Sequence, residues 1–539
     1  MAKKKRPFDI HMGRSVIPPE MHNADKRAEW GLPRERDKPG DYMVELNLLH
    51  KRGLQEADSR FLELFKQVLG DDYTPKRRPQ RISKTYYSCR MTVPQWQALI
   101  REDEQAPLQE RAIYRIWPDF PLEPLMHRSL ATIKADAAKR SYGASGTGIT
   151  WAVLDSGIDA THPHFGDADD PDCHTLLSPE VADLHRDFDL PDPEYATVES
   201  DAATDEEIAK ERQRLLERHK QQALQDRLGH GTHVAGIIAG GLTEAISKKV
   251  DLHVYERKFG TTADGRKSTE TFDDRESVQY QQLSGVAPGT RLISLKVLDD
   301  NGQGRASKVI RALAYIRESL NSDPKLLRVH GINLSVGYEF EAELFACGQS
   351  PICVEVDRLV REGVVVVAAA GNTGYGRVQS SARMTKVGLS NTINDPGNAE
   401  LAITVGATHR DAPYTYGVSY FSSKGPTGDG REKPDLVAPG ERIVSCAAGR
   451  ELEKVLKERS SRNDAESTPV AAYVDVSGTS MAAPHVSGAI AAFLSIRREF
   501  IGKPLEVKRI FLESASSLGR NKYLEGHGLV DLMRAIQSV

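Results

Sequence analysis

The run from Gly363 to Asn372 constrains the fold more than any other stretch of the chain. It reads Gly-Val-Val-Val-Val-Ala-Ala-Ala-Gly-Asn, so a strand here is apolar on both faces and must be covered on both. Similar apolar runs occupy residues 149–154, 291–298, 331–337 and 401–407, and segments with helical spacing separate them. This alternation predicts an α/β fold with a mostly parallel central sheet that is covered by helices.

Polar side chains stand at the ends of several of these runs. Asp155, Ser335 and Asn372 each follow an apolar strand. Open parallel sheets keep their active sites at the carboxyl ends of the strands. We therefore expect these three residues to lie at the functional edge of the sheet.

A serine near the carboxyl end of the chain is the candidate nucleophile. Ser480 follows a tight Gly-Thr turn and precedes a run of small apolar residues, so it should begin a helix whose free N–H groups face outward. Most serines at helix starts are only caps, and a serine hydroxyl needs a base to react. His230 is a suitable base, Asp155 can orient its ring, and the Asn372 amide can bind a developing oxyanion.

Four blocks of the sequence resemble the subtilisin-like serine peptidases, or subtilases. They span residues 153–158, 230–236, 364–372 and 478–485, and the order of acid, base and serine is the subtilisin order. The resemblance runs from residue 131 to 539 outside the insertions. It implies the subtilisin-like three-layer fold and a serine endopeptidase that acts through an acyl-enzyme. It also implies that Asp155 is the orienting acid, His230 the base, Ser480 the nucleophile and Asn372 the oxyanion donor, while His233 has a structural role.

The same resemblance indicates where a polypeptide substrate would bind. The two backbone edges that would pair with an extended substrate are Gly302-Gln303-Gly304 and Ser335-Val336-Gly337. Ala306 stands where many relatives carry a larger side chain, which implies a roomy distal pocket. Asn394 would lie on the floor of the primary pocket and favour a polar or basic side chain, although a solvated loop would look the same. A cis bond is expected before Pro396.

The chain is expected to have three parts. Residues 1–40 are predicted to be a flexible basic and polar tail, residues 41–125 a small α+β sandwich, and residues 126–539 the catalytic domain. The element order of the small unit resembles the subtilase propeptide. That resemblance implies an inhibitor and folding aid, hence a zymogen, with self-cleavage near residues 122–125.

Three polar stretches are predicted to be surface insertions in the catalytic domain. They cover residues 166–228, 241–284 and 449–469. A regulatory protein partner could contact them, and the helical part at 205–227 ends close to His230.

The composition bears on which partners and which cellular compartment are expected for the chain. Its net charge is −4, which argues against a general nucleic-acid binder, and no apolar run reaches the length of a membrane span. The basic start is followed by no apolar signal segment. Five scattered cysteines fit reduced thiols, so a cytoplasmic protein is expected, although Cys347 and Cys353 are close enough in sequence to pair.

No cofactor is expected. His164 stands where relatives with the strong calcium site have an aspartate, so that site should be missing. The acidic run at 167–172 could hold a cation in another way, but it lacks the glycine and the terminal glutamate of an EF-hand loop.

Two other function classes fit the sequence less well. A catalytically silent scaffold with this fold would not need the intact set of four candidate residues. An esterase of the α/β-hydrolase type would need a Gly-x-Ser-x-Gly elbow, which the sequence lacks.

Overall fold

The structure is a computed structural model of the chain. It describes residues 16–17, 19–29, 32–118, 128–193, 204–261, 268–274, 283–323, 326–341, 343–379, 384–460 and 470–539. The chain divides into two compact units, Met1–Pro124 and Leu125–Val539. The predicted inhibitory tail and its cleavage position at 119–125 lie outside the described residues.

The amino-terminal unit is an antiparallel sheet with two longer helices. In chain order its elements are α1 (Ala24–Glu29), β1 (Gly40–Leu46), α2 (Leu54–Leu69), β2 (Gln80–Arg81), β3 (Tyr86–Met91), α3 (Val93–Glu104) and β4 (Ile113–Pro118). The strands lie in the order β2-β3-β1-β4. A capping box starts α3, since the Thr92 hydroxyl accepts from the Gln95 N–H at 3.3 Å and the Gln95 side chain accepts from the Thr92 N–H at 2.9 Å.

Part of the segment that was expected to be a flexible tail packs into the core of this unit. Ile17, Met21 and Leu32 are buried there. The Arg27 guanidinium, which is also buried, donates to the carbonyls of Met21 at 3.0 Å and Arg34 at 2.7 Å. These bonds fold the segment back on itself. The described part of residues 1–40 is therefore packed, although its charged composition suggested a flexible, solvated tail.

The described strands of the larger unit form three sheets. They are β5 (Thr150–Asp155), β6 (Arg186–Asp187), β7 (Asp251–Thr261), β8 (Ser268–Asp274), β9 (Arg291–Lys296), β10 (Gly331–Leu334), β11 (Val365–Ala369), β12 (Tyr375–Gln379), β13 (Met384–Gly388), β14 (Ile403–His409), β15 (Leu436–Glu441), β16 (Ile443–Cys446) and β17 (Val470–Val476).

Its helices follow the same order along the chain. They are α4 (Arg128–Thr132), α5 (Ala135–Tyr142), α6 (Asp205–Ala223), α7 (His230–Ile238), α8 (Glu244–Ser247), α9 (Ala306–Ala314), α10 (Pro351–Arg361), α11 (Pro413–Tyr416), α12 (Gly449–Ser460), α13 (Thr479–Ile496), α14 (Pro504–Ser514), α15 (Lys522–Glu525) and α16 (Leu532–Gln537). A π-helix, Tyr315–Leu320, continues α9.

The central sheet of the larger unit has seven strands in the order β15-β14-β11-β10-β5-β9-β6. All of its neighbouring strands are parallel, as the apolar runs predicted. Two separate apolar clusters contain alternate residues of the strands: Val153 and Val367 belong to one, and Leu154 and Val366 to the other. The sheet is therefore covered on both faces, and β5, which ends at Asp155, lies between β9 and β10.

Helix α13 forms much of the core on one face of the sheet. Most of its residues are buried, because small side chains such as Ala482, Ala489 and Ala492 let it approach its neighbours closely. Of the described helices, it alone has the length and apolar composition of a membrane span, and 83% of its apolar window is buried inside the fold.

The segment 241–284, expected to be a surface insertion, contributes to a second sheet with the order β16-β17-β7-β8. Strand β7 pairs in parallel with β17, and Val254 of β7 is buried in the main core. Strands β12 and β13 form a separate antiparallel hairpin, which starts three residues after Asn372.

Candidate active site

Asp155 and His230 form the first part of the site. Asp155 ends β5 and is 1% exposed, while His230 is the first residue of α7. His230 Nδ1 lies 2.7 Å from Asp155 Oδ1, so a neutral ring donates here and keeps Nε2 as a free base. The close approach requires glycine at position 231, because a Cβ there would lie 2.2 Å from the Gly157 carbonyl oxygen.

Neighbouring carboxylates set the pKa of His230. Burial of the ring lowers it, but the charge of Asp155 and its hydrogen bond act in the opposite direction, as do the charges of Asp226 and Glu451. Together they raise the pKa of His230 above its usual range. The imidazolium that forms when His230 takes a proton is thereby stabilised.

A second buried carboxylate, which sequence reasoning missed, holds the start of α7. Asp226 is 5% exposed and accepts hydrogen bonds from the Gly229 N–H at 2.8 Å and the Ser156 hydroxyl at 2.9 Å. The Thr232 N–H and hydroxyl also donate to it, at 2.9 and 2.7 Å. Ser156, which follows Asp155, also accepts from the Gly231 N–H. The network therefore joins the end of β5, which carries the acid, to the start of α7, which carries the base.

Ser480 is the second residue of α13, at the helix end where backbone N–H groups are free. Its hydroxyl donates to the Ser335 carbonyl at 3.1 Å and not to the His230 ring. The side chain is partly buried. A hydroxyl in this position is available to a carbonyl group that enters from outside and needs only a rotation about its χ1 bond to leave Ser335.

Asn372 is held beside the serine by a neighbouring threonine. Its Oδ1 accepts from the Thr479 N–H at 2.9 Å and from the Thr479 hydroxyl at 3.1 Å. These two donors assign the oxygen of the amide, so Nδ2 is the atom that faces away. A Cβ added to Gly478 would lie 3.5 Å from Nδ2, which places this donor beside the turn that leads into Ser480.

A cleft of about 370 Å³ contains most of the predicted substrate-binding residues together with His230. Those residues are Gly302, Gly304, Ser335, Val336 and Gly337. The remaining wall is largely apolar, with Leu228, Leu298, Ala306, Val309 and Ile352 among its members. The two glycine-containing edges, 302–304 and 335–337, therefore line the same cleft.

Asn394 is not among the residues that line that cleft, and it lies against Gly371. A Cβ added to Gly371 would lie 2.6 Å from Asn394 Cγ, and Asn394 Oδ1 accepts from the Thr373 hydroxyl at 3.1 Å. The peptide bond between Asp395 and Pro396 is cis, as predicted. Asn394 thus lies against the backbone that leads into Asn372.

Two other histidines, His233 on α7 and His164, make structural contacts. His233 Nε2 lies 3.1 Å from the Ile443 carbonyl and 3.0 Å from that of Val474, and burial lowers its pKa to about 3. His164 Nε2 lies within 3.2 Å of the Gly236 and Ala239 carbonyls. In both rings Nε2 therefore donates to backbone carbonyls, and the His233 ring is neutral.

No cluster of three or more metal-ligating side chains occurs in the part of the chain that the structure describes. Within the acidic run, Asp167 is paired with Lys249 at 2.7 Å. The expectation about calcium stays a prediction.

Comparison with known proteins places this arrangement in a family. Residues 146–529 match the model described as the subtilase family. Among curated relatives, pyrolysin from Pyrococcus furiosus is 30% identical over 353 residues, covering 57% of this chain and 21% of its own length. The serine protease AprX from Bacillus subtilis is 30% identical over 290 residues, covering 52% and 51%.

Subtilisin E from Bacillus subtilis is 26% identical over 408 residues, which cover 76% of this chain and 70% of the relative. The chain thus spans about a fifth of pyrolysin and about half of AprX. The matched region includes β5, α7, the loop after β11 and the start of α13, which carry the four candidate residues. The chain belongs to the subtilase family.

Proposed function

We propose that this chain is a serine endopeptidase that hydrolyses peptide bonds through an acyl-enzyme intermediate. The observation that carries the proposal is the 2.7 Å contact between His230 and the buried Asp155, in a cleft that also contains the Ser335 edge to which Ser480 is bonded. Membership of the subtilase family supports it.

The geometry suggests how the reaction would proceed. An extended substrate pairs with the edges at 302–304 and 335–337, which places its scissile carbonyl beside Ser480. The Ser480 hydroxyl rotates away from the Ser335 carbonyl and attacks the carbonyl carbon, while His230 Nε2 takes its proton. The oxyanion accepts from Asn372 Nδ2 and the Ser480 N–H.

Collapse of the tetrahedral intermediate completes acylation, and deacylation follows. The protonated His230 gives its proton to the leaving amine, which departs with the carboxyl-terminal part of the substrate. Water, deprotonated by His230, then attacks the acyl carbon and releases Ser480. Asp155 keeps the ring oriented and stabilises its charge throughout.

A fluorophosphonate probe tests the nucleophile, because it reacts only with an activated serine. We expect the wild-type protein to be labelled once its amino-terminal unit no longer blocks the site, and Ser480→Ala to be unlabelled under the same conditions. Ser495→Ala is the matched control, since it removes a hydroxyl from the other end of the same helix. Labelling that persists in Ser480→Ala refutes the assignment. A wild-type protein that stays unlabelled even after limited proteolysis has removed its amino-terminal unit supports the catalytically silent scaffold instead.

The amino-terminal unit is proposed to inhibit the catalytic unit and to make the protein a zymogen. Its compact antiparallel sheet and two packed helices are consistent with a separate inhibitory unit. The test compares wild type and Ser480→Ala on a denaturing gel. Self-processing predicts a shorter wild-type chain, and equal sizes count against it.

We also propose that the protein works in the cytoplasm. All five cysteines lie among the described residues and are unpaired there, and Cys89, Cys353 and Cys446 are buried. Titration of thiols in unfolded protein taken directly from cells should find all five free, whereas blocked thiols would favour an oxidising compartment.

A further inference from the structure

A cavity of about 400 Å³ lies between the α6 segment and the π-helix that continues α9. Arg212, Leu216 and His219 of α6 form one wall, and Tyr315 and Leu320 of the π-helix form another. It shares no lining residue with the cleft that contains His230. The proposed peptidase reaction therefore gives it no role.

Two arginines in this cavity are held against aromatic rings. The Arg186 guanidinium carbon lies 5.2 Å from the centre of the Tyr315 ring, and that of Arg311 lies 5.7 Å from the centre of the Phe188 ring. Arg186 donates to the Asp183 and His185 carbonyls, at 3.0 and 2.8 Å. Arg311 donates to the carbonyls of Phe188 and Leu190, so both groups are fixed by neutral acceptors only.

These arginines form no direct ion pair with a carboxylate of the described residues. Within the described ranges, no carboxylate oxygen lies within 4.0 Å of a guanidinium nitrogen of Arg186, Arg311 or Arg328. Arg328 also lines the cavity and is exposed. A guanidinium carries five N–H donors, so each group has donors left to offer.

The acids of the cavity do not supply the missing counter-charge. Asp183 is bound to Lys220 at 3.2 Å, and Glu318 is bound to Arg317, which also pairs with Glu355 and Glu362. Asp192 and Arg212 add one charge of each sign to the lining. Among the described residues, the lining therefore has four arginines and three acids, which leaves a surplus of one positive charge beside apolar and aromatic walls.

The π-helix is an independent sign of function. Such i→i+5 turns are rare and occur frequently at functional sites, because they cost hydrogen-bond geometry that a regular helix would keep. Here the π-helix directs Tyr315, Glu318, Ser319 and Leu320 to the cavity. Without it, the helix would present a different set of side chains.

We propose that this cavity binds a small organic anion. Its carboxylate or phosphate oxygens would accept from Arg186, Arg311 and Arg328, since guanidinium groups recognise both kinds of anion through paired N–H donors. Its body would lie against Phe188, Tyr315 and the neighbouring leucines. The volume is in the range of small-molecule sites.

Isothermal titration calorimetry on the full chain tests the proposal with three probes, which are citrate, adenosine monophosphate and inorganic pyrophosphate. Citrate represents carboxylates, the nucleotide an organic phosphate and pyrophosphate a phosphate without an organic body. We expect at least one of the two organic probes to bind, and the one that binds identifies the anion. Binding by neither organic probe overturns the proposal, whether or not pyrophosphate binds.

Arg328→Glu is the informative variant, because the structure gives its side chain no hydrogen bond to lose and the fold should be retained. It should weaken the dissociation constant about tenfold or more, since it replaces an attractive charge with a repulsive one. Arg140→Glu makes the same charge change at an exposed arginine on α5, which is not part of the cavity lining, and should leave binding unchanged. Equal effects of the two variants would show only a general charge effect and would overturn the site.

Discussion

Ser335 and Ser480 bind each other through two reciprocal hydrogen bonds. The Ser480 hydroxyl donates to the Ser335 carbonyl at 3.1 Å, and the Ser335 hydroxyl donates to the Ser480 carbonyl at 3.0 Å. The second bond fixes the backbone of the candidate nucleophile to the end of β10. The first must break before Ser480 can react, so the two have different consequences for catalysis.

Ser335→Ala should lower kcat several-fold with little change in KM, because it frees the Ser480 backbone but leaves the substrate edge in place. It also removes an acceptor for the buried Asn333 amide, at 2.8 Å, which should cost about 1–2 kcal/mol of unfolding free energy. Ser487→Ala removes the other side-chain partner of Asn333 without touching Ser480 and is the control. Equal losses of kcat in the two variants would contradict the positioning role.

Asp226→Asn should weaken both stability and activity. In the variant, an NH₂ group replaces one carboxylate oxygen and faces N–H or O–H groups that also donate. We therefore expect a loss of about 3 kcal/mol of unfolding free energy. A displaced His230 should reduce kcat/KM by up to about 100-fold. Denaturant unfolding and steady-state kinetics check this, with Asp172→Asn, an exposed carboxylate, as control. Unchanged kcat/KM would mean that Asp226 supports only the fold.

The motifs were sufficient to predict the central sheet but not the contacts that surround the site. Apolar runs identified β5, β9, β10, β11 and β14, because strands covered on both faces need apolar side chains throughout. Asp226 was missed because it lies at the end of a charged helix, where a carboxylate suggests solvent. Its burial depends on the donors that Ser156 and Thr232 bring to it.

Strand β7 was missed for a related reason. Its polar sequence suggested a surface insertion, yet Glu256 is 8% exposed and lies 3.2 Å from Arg410. An ion pair between distant segments allows a charged residue to be buried in a packed sheet. The periodicity of residues 241–284 could not reveal this burial, because the partner, Arg410, lies far away in the sequence.

Glu451→Gln should shift the acid limb of the pH profile of kcat/KM to lower pH. The charge of Glu451 helps to raise the pKa of His230, so its removal lowers that pKa and leaves the ring neutral at lower pH. The shift should be about a few tenths of a pH unit, since solvent and salt screen the charge. Glu453→Gln makes the same change at an exposed position of α12. A shift toward higher pH would contradict the electrostatic argument.

Two substitutions of Asn372 distinguish its contact with Thr479 from its proposed contact with the oxyanion. Asn372→Ala should reduce kcat by about 10²–10³-fold with KM nearly unchanged, because an oxyanion donor acts mainly in the transition state. It also removes the acceptor of Thr479, so Asn372→Asp is the decisive companion: the carboxylate keeps that acceptor but replaces Nδ2 with an oxygen that repels the oxyanion. The aspartate variant should therefore lose at least as much kcat as the alanine variant. If it instead kept most of the wild-type kcat, the role of Asn372 would be to hold Thr479, and the oxyanion would have to rely on the Ser480 N–H.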